Sequence, residues 1–383
     1  MIDHRRKLVS NQDLLKFASI ILAILSLIMP IACRVENPSS EPPGDATPPR
    51  ATPPHTPNKI KVHVPADPMR IAFGIITDTH IGRSANANDE TVRHVNDRGQ
   101  DFNILGVLHM GDMLQGGDSV HYHINDFRDY YEDDLSTTPV SHRIKFPLFP
   151  NIGNHDVSNS TNNSFPSNGD APQYLQKRII GAPNITSYDT TTYAWRWGNY
   201  YFLSLGLWAG GRNAVSKTDI DWDRINWVDA FLRDSIGDSG NGVFILQHYG
   251  WDWFSTELDD DGSARWWNDT MRQLLLDILC RRYHHRVLSS SAVANPYNVL
   301  GIFTGHLHLI DNNKVAAGKD KNSREVYFDN YVLPEAGTDQ PAHGFGVVVL
   351  DGTTMQMDVY HSLTNSKLWS FTKLIKIGPN WRD

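Results

Sequence analysis

The chain has 383 residues, an apolar share of 40% and a formal net charge of -8 at neutral pH. That length suits one large domain or two ordinary ones. Without clustered Lys and Arg, a mildly acidic chain gains nothing from attraction to a phosphodiester backbone, so no nucleic acid polymer is expected as a main partner.

Residues 1–33 read as a targeting segment. Arg5, Arg6 and Lys7 lead into the uncharged run "FASIILAILSLIMPIA", which ends at Cys33, the order of a secretory signal. At roughly 16 residues the run is short for a bilayer span of about 20, and an uncleaved membrane anchor is the competing topology. Cys33 follows Pro-Ile-Ala and resembles the lipobox end of bacterial lipoprotein signals, with Pro30 where an aliphatic residue is usual. That resemblance implies an acylated Cys33 and an exported chain, periplasmic or at the cell surface, lipid-anchored to a membrane. The other cysteine, Cys280, falls in a helical stretch, so no disulfide pair is evident.

Residues 34–69 are rich in Pro, Ser and Thr and poor in aliphatics, which predicts a disordered tether. From residue 70 to 383 the composition is that of a globular domain. Short apolar runs follow one another, each stopping at a polar cluster: "RIAFGIITDTH", "FNILGVLHMGD", "FPLFPNIGNHD", "YYFLSLGL", "GVFILQHYG" and "NVLGIFTGHLH". Their length and lack of strict alternation predict strands buried on both faces. Two helical patterns lie among them. "TDIDWDRINWVDAFLRDS" offers Thr218 as N-cap and a stripe of Ile225, Val228, Phe231 and Leu232 before Gly237, and "SARWWNDTMRQLLLDILCRRY" aligns Trp267, Met271, Leu274, Leu275 and Ile278. Strands alternating with helices predict a layered α/β domain. Beyond residue 308, three more strand-like runs, with Asp351-Gly352 as a hairpin turn, are expected to complete a second sheet.

Five of the six runs end in potential metal ligands: Asp78 and His80; Asp112; Asn154, His155 and Asp156; His248; His306 and His308. Open α/β sheets bind ligands beyond the carboxyl ends of their strands, so these clusters should meet on one rim although about 230 residues separate the first from the last. One such cluster alone reads as readily as a polar turn. The ordered set does not.

The set Asp78-Thr79-His80, Gly111-Asp112, Gly153-Asn154-His155-Asp156, His248 and Gly305-His306-Leu307-His308 resembles the calcineurin-like metallophosphoesterase family over about residues 70 to 360, in the family's order and with no element missing. The resemblance implies a four-layer α/β/β/α sandwich with two central mixed sheets. It implies that Asp78, His80 and His308 bind one metal, that Asn154, His248 and His306 bind a second, and that Asp112 bridges them. His155 would be the catalytic histidine near the substrate, with Asp156 as its orienting partner. Purple acid phosphatases, a related group, carry a Tyr ligand where this chain has Leu114 and Gln115, so a tyrosinate-iron site is not expected.

The donor types fit that chemistry. Two divalent ions bring about +4, while two carboxylates and a bridging hydroxide remove about 3, which leaves an electrophilic site for a phosphate. Mixed imidazole and carboxylate ligands suit Zn, Mn or Fe better than Ca or Mg. The expected reaction is in-line attack on phosphorus by the metal-bridging hydroxide, with a phosphate mono- or diester as substrate. Tyr249, Trp251, Trp253 and Arg265 follow His248 and could face a nucleotide, a sugar phosphate or a lipid head group, although tryptophans so close to a helix also suit packing. A non-catalytic surface lipoprotein that binds a phosphorylated ligand on the same fold is the alternative reading.

Overall fold

A computed structural model describes residues 57–382 except 82–84, 116–119, 133–142, 157–169, 208, 212–218, 252–268, 285–286, 289–293 and 338–342. The targeting segment, Cys33 and most of the tether lie outside the described residues. The tether expected over 34–69 gives way by residue 57 to chain that packs on the domain. Ile60 is fully buried, its N–H donates to the Arg178 carbonyl at 3.1 Å, and the Tyr200 hydroxyl donates to the Met69 carbonyl at 2.8 Å.

Strand β1 (Ile71–Ile76) is buried at every position. Helix α1 (Ala85–Phe102) returns the chain to β2 (Val107–His109), and α2 (Val120–Tyr131) precedes β3 (Leu148–Pro150), so β1, β2 and β3 run parallel. After α3 (Asp170–Ile179), strands β4 (Ile185–Ser187), β5 (Thr192–Trp197) and β6 (Tyr200–Leu205) form an antiparallel meander. Helix α4 (Trp222–Phe231), strand β7 (Gly242–Leu246) and helix α5 (Asp269–Leu279) follow, then a small hairpin of β8 (Tyr283–His284) and β9 (Val287–Leu288). The chain closes with β10 (Asn298–Thr304), β11 (Asp311–Lys319), β12 (Glu325–Val332), β13 (Gly344–Leu350), β14 (Thr354–His361) and β15 (Lys367–Leu374).

Two mixed sheets result, ordered β15-β14-β13-β1-β2-β3 and β11-β12-β10-β7-β6-β5-β4. They meet face to face through aromatic side chains. Phe73 of β1 packs edge-on against Phe202 of β6 at 5.1 Å between ring centroids and against Phe244 of β7 at 5.6 Å, and Phe149 of β3 stacks on Trp195 of β5 at 4.4 Å. Helix α1 covers the outer face at β1 and β13, and on the other side Phe231 of α4 lies against Tyr201 of β6. This is the four-layer α/β/β/α sandwich with two central mixed sheets.

Two details differ from the sequence reading. Only β11 and β12 extend the second sheet, while β13, β14 and β15 join the first beside β1, because β13 pairs antiparallel with β1. Helix α4 is capped by Asp221, whose carboxylate accepts the N–H groups of Asp223 and Arg224; Thr218 lies outside the described residues. Beyond α4 the helix widens into a π-turn over Leu232–Ile236 that Gly237 ends.

The edge hairpin of β14 and β15 is pinned by buried Asp358, which accepts Lys367 Nζ at 2.7 Å, Ser370 Oγ at 2.6 Å and Gln356 Nε2 at 2.9 Å. Burial opposes ionisation of this carboxyl, but those donors outweigh it and hold its pKa below the usual value. A lowered folded pKa gives stability that is present above about pH 4 and lost as pH falls through the folded value. Asp358→Asn should therefore cost about 1–3 kcal/mol at neutral pH. The gap from the parent should close on acidification, as denaturant unfolding at the two pH values would show.

Candidate metal centre

The carboxyl ends of five parallel-running strands supply the cluster. Three belong to the first sheet, with Asp78 and His80 after β1, Asp112 after β2 and Asn154 to Asp156 after β3. Two belong to the second, with His248 after β7 and His306 and His308 after β10. The site thus lies where the rims of two sheets adjoin, rather than on one. Backbone hydrogen bonds join the loops: Asp78 N–H to the Gly111 carbonyl at 3.0 Å, His80 N–H to Asp112 at 3.2 Å and Gly305 N–H to His248 at 3.1 Å.

Asp78, His80, Asp112, His306 and His308 all have positive φ, between 41° and 67°, a region that L residues enter only under constraint. The bend falls in the loop that follows each strand. Glycines make room for it: a Cβ on Gly153 would collide with Asp112 Oδ1, and one on Gly305 with Thr77 Oγ1 and Asp78 Oδ2.

Two groups of donor atoms result. Asp78 Oδ1 lies 3.2 Å from His308 Nε2 and 3.8 Å from His80 Nε2, and the two imidazole nitrogens are 3.3 Å apart. His248 Nε2 lies 3.2 Å from Asp112 Oδ2 and 3.0 Å from Asn154 Oδ1, with the His306 ring 5.2 Å from that of His248 between centroids. Asp112 Oδ2 is also 4.0 Å from His80 Nε2, which puts it between the groups.

Each carboxylate has one tied oxygen and one bare one. Asp78 Oδ2 accepts Thr77 Oγ1 at 2.5 Å and the His306 N–H at 3.0 Å, and Asp112 Oδ1 accepts the His155 N–H at 2.7 Å. Asp78 Oδ1 and Asp112 Oδ2, the oxygens that face the imidazoles, are buried without a hydrogen-bond partner. A buried, unsatisfied carboxylate oxygen is costly unless a cation completes it. The residues present therefore fit a pair of metal ions.

The ionisation of the cluster points the same way. Burial opposes the charge on Asp78, but His248, His308 and His80 outweigh it and hold its carboxyl far below the usual range. Asp112 is lowered to about 2 against its own burial, chiefly by His248. Burial disfavours the His248 imidazolium, yet Asp112 and Asp78 raise its pKa to about 9, while burial lowers that of His306 to about 3. His248 Nδ1 donates to the Met110 carbonyl at 3.1 Å, which aims its Nε2 at the cluster.

The family model for calcineurin-like phosphoesterases matches residues 71–309, more than half of the chain. The chain belongs to that family. Its fold is similar to that of a purple acid phosphatase from yellow lupin (Lupinus luteus) seeds, at 14% identity and a TM-score of 0.53, covering 81% of this chain and 55% of that one. It is also similar to PhoD, at 10% identity and a TM-score of 0.53 over 83% of this chain and 72% of that one. A zebrafish (Danio rerio) dimetal phosphatase aligns with 80% of this chain and 99% of its own, at 15% identity and a TM-score of 0.46. No curated protein matches the chain. As a member of the family it is a metal-dependent phosphoric ester hydrolase with a dinuclear centre.

In this phosphoesterase the other expected site residues fall in different places. The His155 ring meets the His80 ring edge-on at 4.7 Å, its Nδ1 donates to the Gln115 carbonyl at 2.7 Å, and it lies close enough to His80 and Asp112 to group with them as a metal donor. The partner expected from Asp156 is thus a backbone carbonyl. Asp156 instead accepts the N–H groups of Gly153 at 2.8 Å, Leu114 at 3.0 Å and Met113 at 3.3 Å, which fastens the loop after β2 to the loop after β3. Burial and nearby Asp112 raise its pKa to about 7 against those three donors.

Tyr249 stands edge-on to His306 at 4.8 Å and walls that side of the cluster. Trp251 is corrected from a substrate-facing to a core position: it is 1% exposed and its indole N–H donates to Gln247 Oε1 at 2.8 Å. Trp253 and Arg265 lie outside the described residues. Two buried residues were missed. His109 takes the Gly111 N–H at 3.2 Å and contacts Thr79 Oγ1 at 3.0 Å, bracing the first two ligand loops, and Glu335 lies 3.1 Å from His308 Nδ1. Both stand at strand ends, the same signal that marked the ligands.

Because a Cβ on Gly153 would press on Asp112, Gly153→Ala should displace that carboxylate and cost the centre its metals. Gly305→Ala should disturb Asp78 and weaken one metal first. Metal equivalents retained after gel filtration would check both outcomes.

Proposed function

We propose that the centre hydrolyses a small phosphate mono- or diester, such as a nucleotide, a sugar phosphate or a lipid head group, and that the chain works outside the cytoplasm on a lipid tether. The observation that carries the catalytic part is the pair of bare oxygens, Asp78 Oδ1 and Asp112 Oδ2, ringed by imidazoles. Asp78, His80 and His308 would hold one ion, Asn154, His248 and His306 the other, and Asp112 both. Their donor types suit Zn, Mn or Fe. The ions, when bound, supply Lewis acidity toward the phosphoryl oxygens and an activated water.

The remaining work falls to the chain. His155, with Nδ1 held by the Gln115 carbonyl, would offer Nε2 to the substrate, to protonate the leaving oxygen or donate to a phosphoryl oxygen. Asp156 keeps the loops of Asp112 and Asn154 in register, and Tyr249 shields His306 from water. Localisation rests on Arg5, Arg6, Lys7, the apolar run and Cys33. Among the described residues no helix is long and apolar enough to cross a membrane.

Chelation should abolish hydrolysis of p-nitrophenyl phosphate or bis-p-nitrophenyl phosphate, and Zn, Mn or Fe should restore it in the parent but not in Asp112→Asn. His155→Ala should keep both metals and lose about 10²–10⁴-fold in turnover; loss of a metal would move His155 into the ligand set. A mature chain that starts at Cys33 with added acyl mass would support the tether, and a full-length, unmodified chain would refute it.

A further inference from the structure

Strand β12 runs parallel to β10, so its carboxyl end reaches the same rim as His306 and His308. Glu335 follows three residues after β12 and is 2% exposed. Its Oε2 lies 3.1 Å from His308 Nδ1 and its Oε1 lies 3.9 Å from His80 Nε2. The backbone fixes it there. The Ala336 N–H donates to the Thr77 carbonyl at 2.9 Å and that of Gly337 to the Asp78 carbonyl at 3.3 Å, and a Cβ on Gly337 would collide with Thr79.

We propose that Glu335 is the positioning residue of His308 and that, as a third buried carboxylate beside the first metal position, it biases the centre toward phosphodiesters over phosphomonoesters. This rests on the phosphoesterase reading of the same site. His308 donates through Nδ1 to Glu335, which leaves the lone pair on Nε2, 3.2 Å from Asp78 Oδ1, available to ligate a metal. A carboxylate behind a ligating imidazole fixes its tautomer and direction and raises its basicity.

The charge follows from the same contact. Two divalent ions bring about +4; Asp78, Asp112, Glu335 and the activated nucleophile remove about 4, so the centre is close to neutral rather than cationic. A phosphomonoester carries about two negative charges at neutral pH and a diester one. A negative charge on the substrate is repelled by the Glu335 carboxylate behind His308, so the doubly charged monoester is penalised about twice as much as the diester.

The test uses the full chain as parent, E335Q and E335D. Metal equivalents are measured after dialysis against a chelator, and the kcat/KM ratio of bis-p-nitrophenyl phosphate to p-nitrophenyl phosphate is measured with metal in excess. E335Q should release one of its two metals at a chelator concentration about 10–100-fold lower than the parent. Its diester-to-monoester ratio should fall about tenfold. E335D keeps the charge but withdraws it by one methylene, so it should loosen the same metal and keep the ratio; it carries the test if the glutamine variant does not fold. An unchanged metal hold, or an unchanged ratio in E335Q, overturns the proposal. A parent that holds both metals and cleaves neither ester counts against the phosphoesterase reading, and the metal readout then judges the positioning role by itself.

Discussion

The bare oxygens of Asp78 and Asp112 are the constraint around which the molecule is arranged. A carboxylate that is fully buried with one oxygen unsatisfied is among the least favourable groups a fold can carry. Here two such oxygens face a shared cluster of imidazoles, and the second oxygen of each is tied to its neighbours, so neither side chain can turn to quench the other. What remains is a demand for positive charge at a fixed place. Protons meet it in part, as the raised pKa of His248 shows, and a pair of metal ions meets it fully.

Holding those oxygens in place requires backbone that most residues avoid. Five ligand-bearing positions in the left-handed region cost about 1–2 kcal/mol each, a total comparable with the net stability of a domain. The core beneath them offsets that cost. Phe73 sits at the middle of β1, in contact with rings from β6, β7 and β10, so the strand that carries Asp78 and His80 is clamped against the strands that carry His248, His306 and His308. The aromatic contact between the sheets and the registration of the two halves of the site are one feature seen at two heights.

Much of this was legible in the sequence, because strand and ligand come in one package: an apolar run that stops at a polar cluster. All six runs are strands, and each ligand expected from the motif order lies at the carboxyl end of its strand. What stayed hidden has identifiable causes. Strand β13 is apolar on both faces, which says that it is central but not beside which neighbour, and only the antiparallel register with β1 assigns it to the first sheet. Trp251 follows a ligand loop, where exposure and burial are equally open to an indole until Gln247 supplies a partner for its N–H. Asp156 follows His155 directly, and the family resemblance implied a contact between them, whereas the turn spends its carboxylate on three backbone N–H groups. Glu335 lies in a run that ends as the ligand-bearing runs do, in "YVLPEAGT", yet no family motif marks it.

The two proposed metal positions differ in their ligands, a carboxylate of Asp78 at one and the amide of Asn154 at the other, and in what stands behind them. At the first, His308 is backed by a carboxylate; at the second, His248 is backed by the neutral carbonyl of Met110 and His306 by the ring of Tyr249. Asp112 does not even out the difference, since its Oδ2 lies 3.2 Å from His248 and 4.0 Å from His80. The Asp112 charge leans toward the side of His248 and Asn154, which has no other carboxylate, while the side of His80 and His308 has Asp78 and, through His308, Glu335. On that assignment negative charge would be shared between the two positions by geometry rather than by identical ligands, so that neither would be left without a nearby carboxylate.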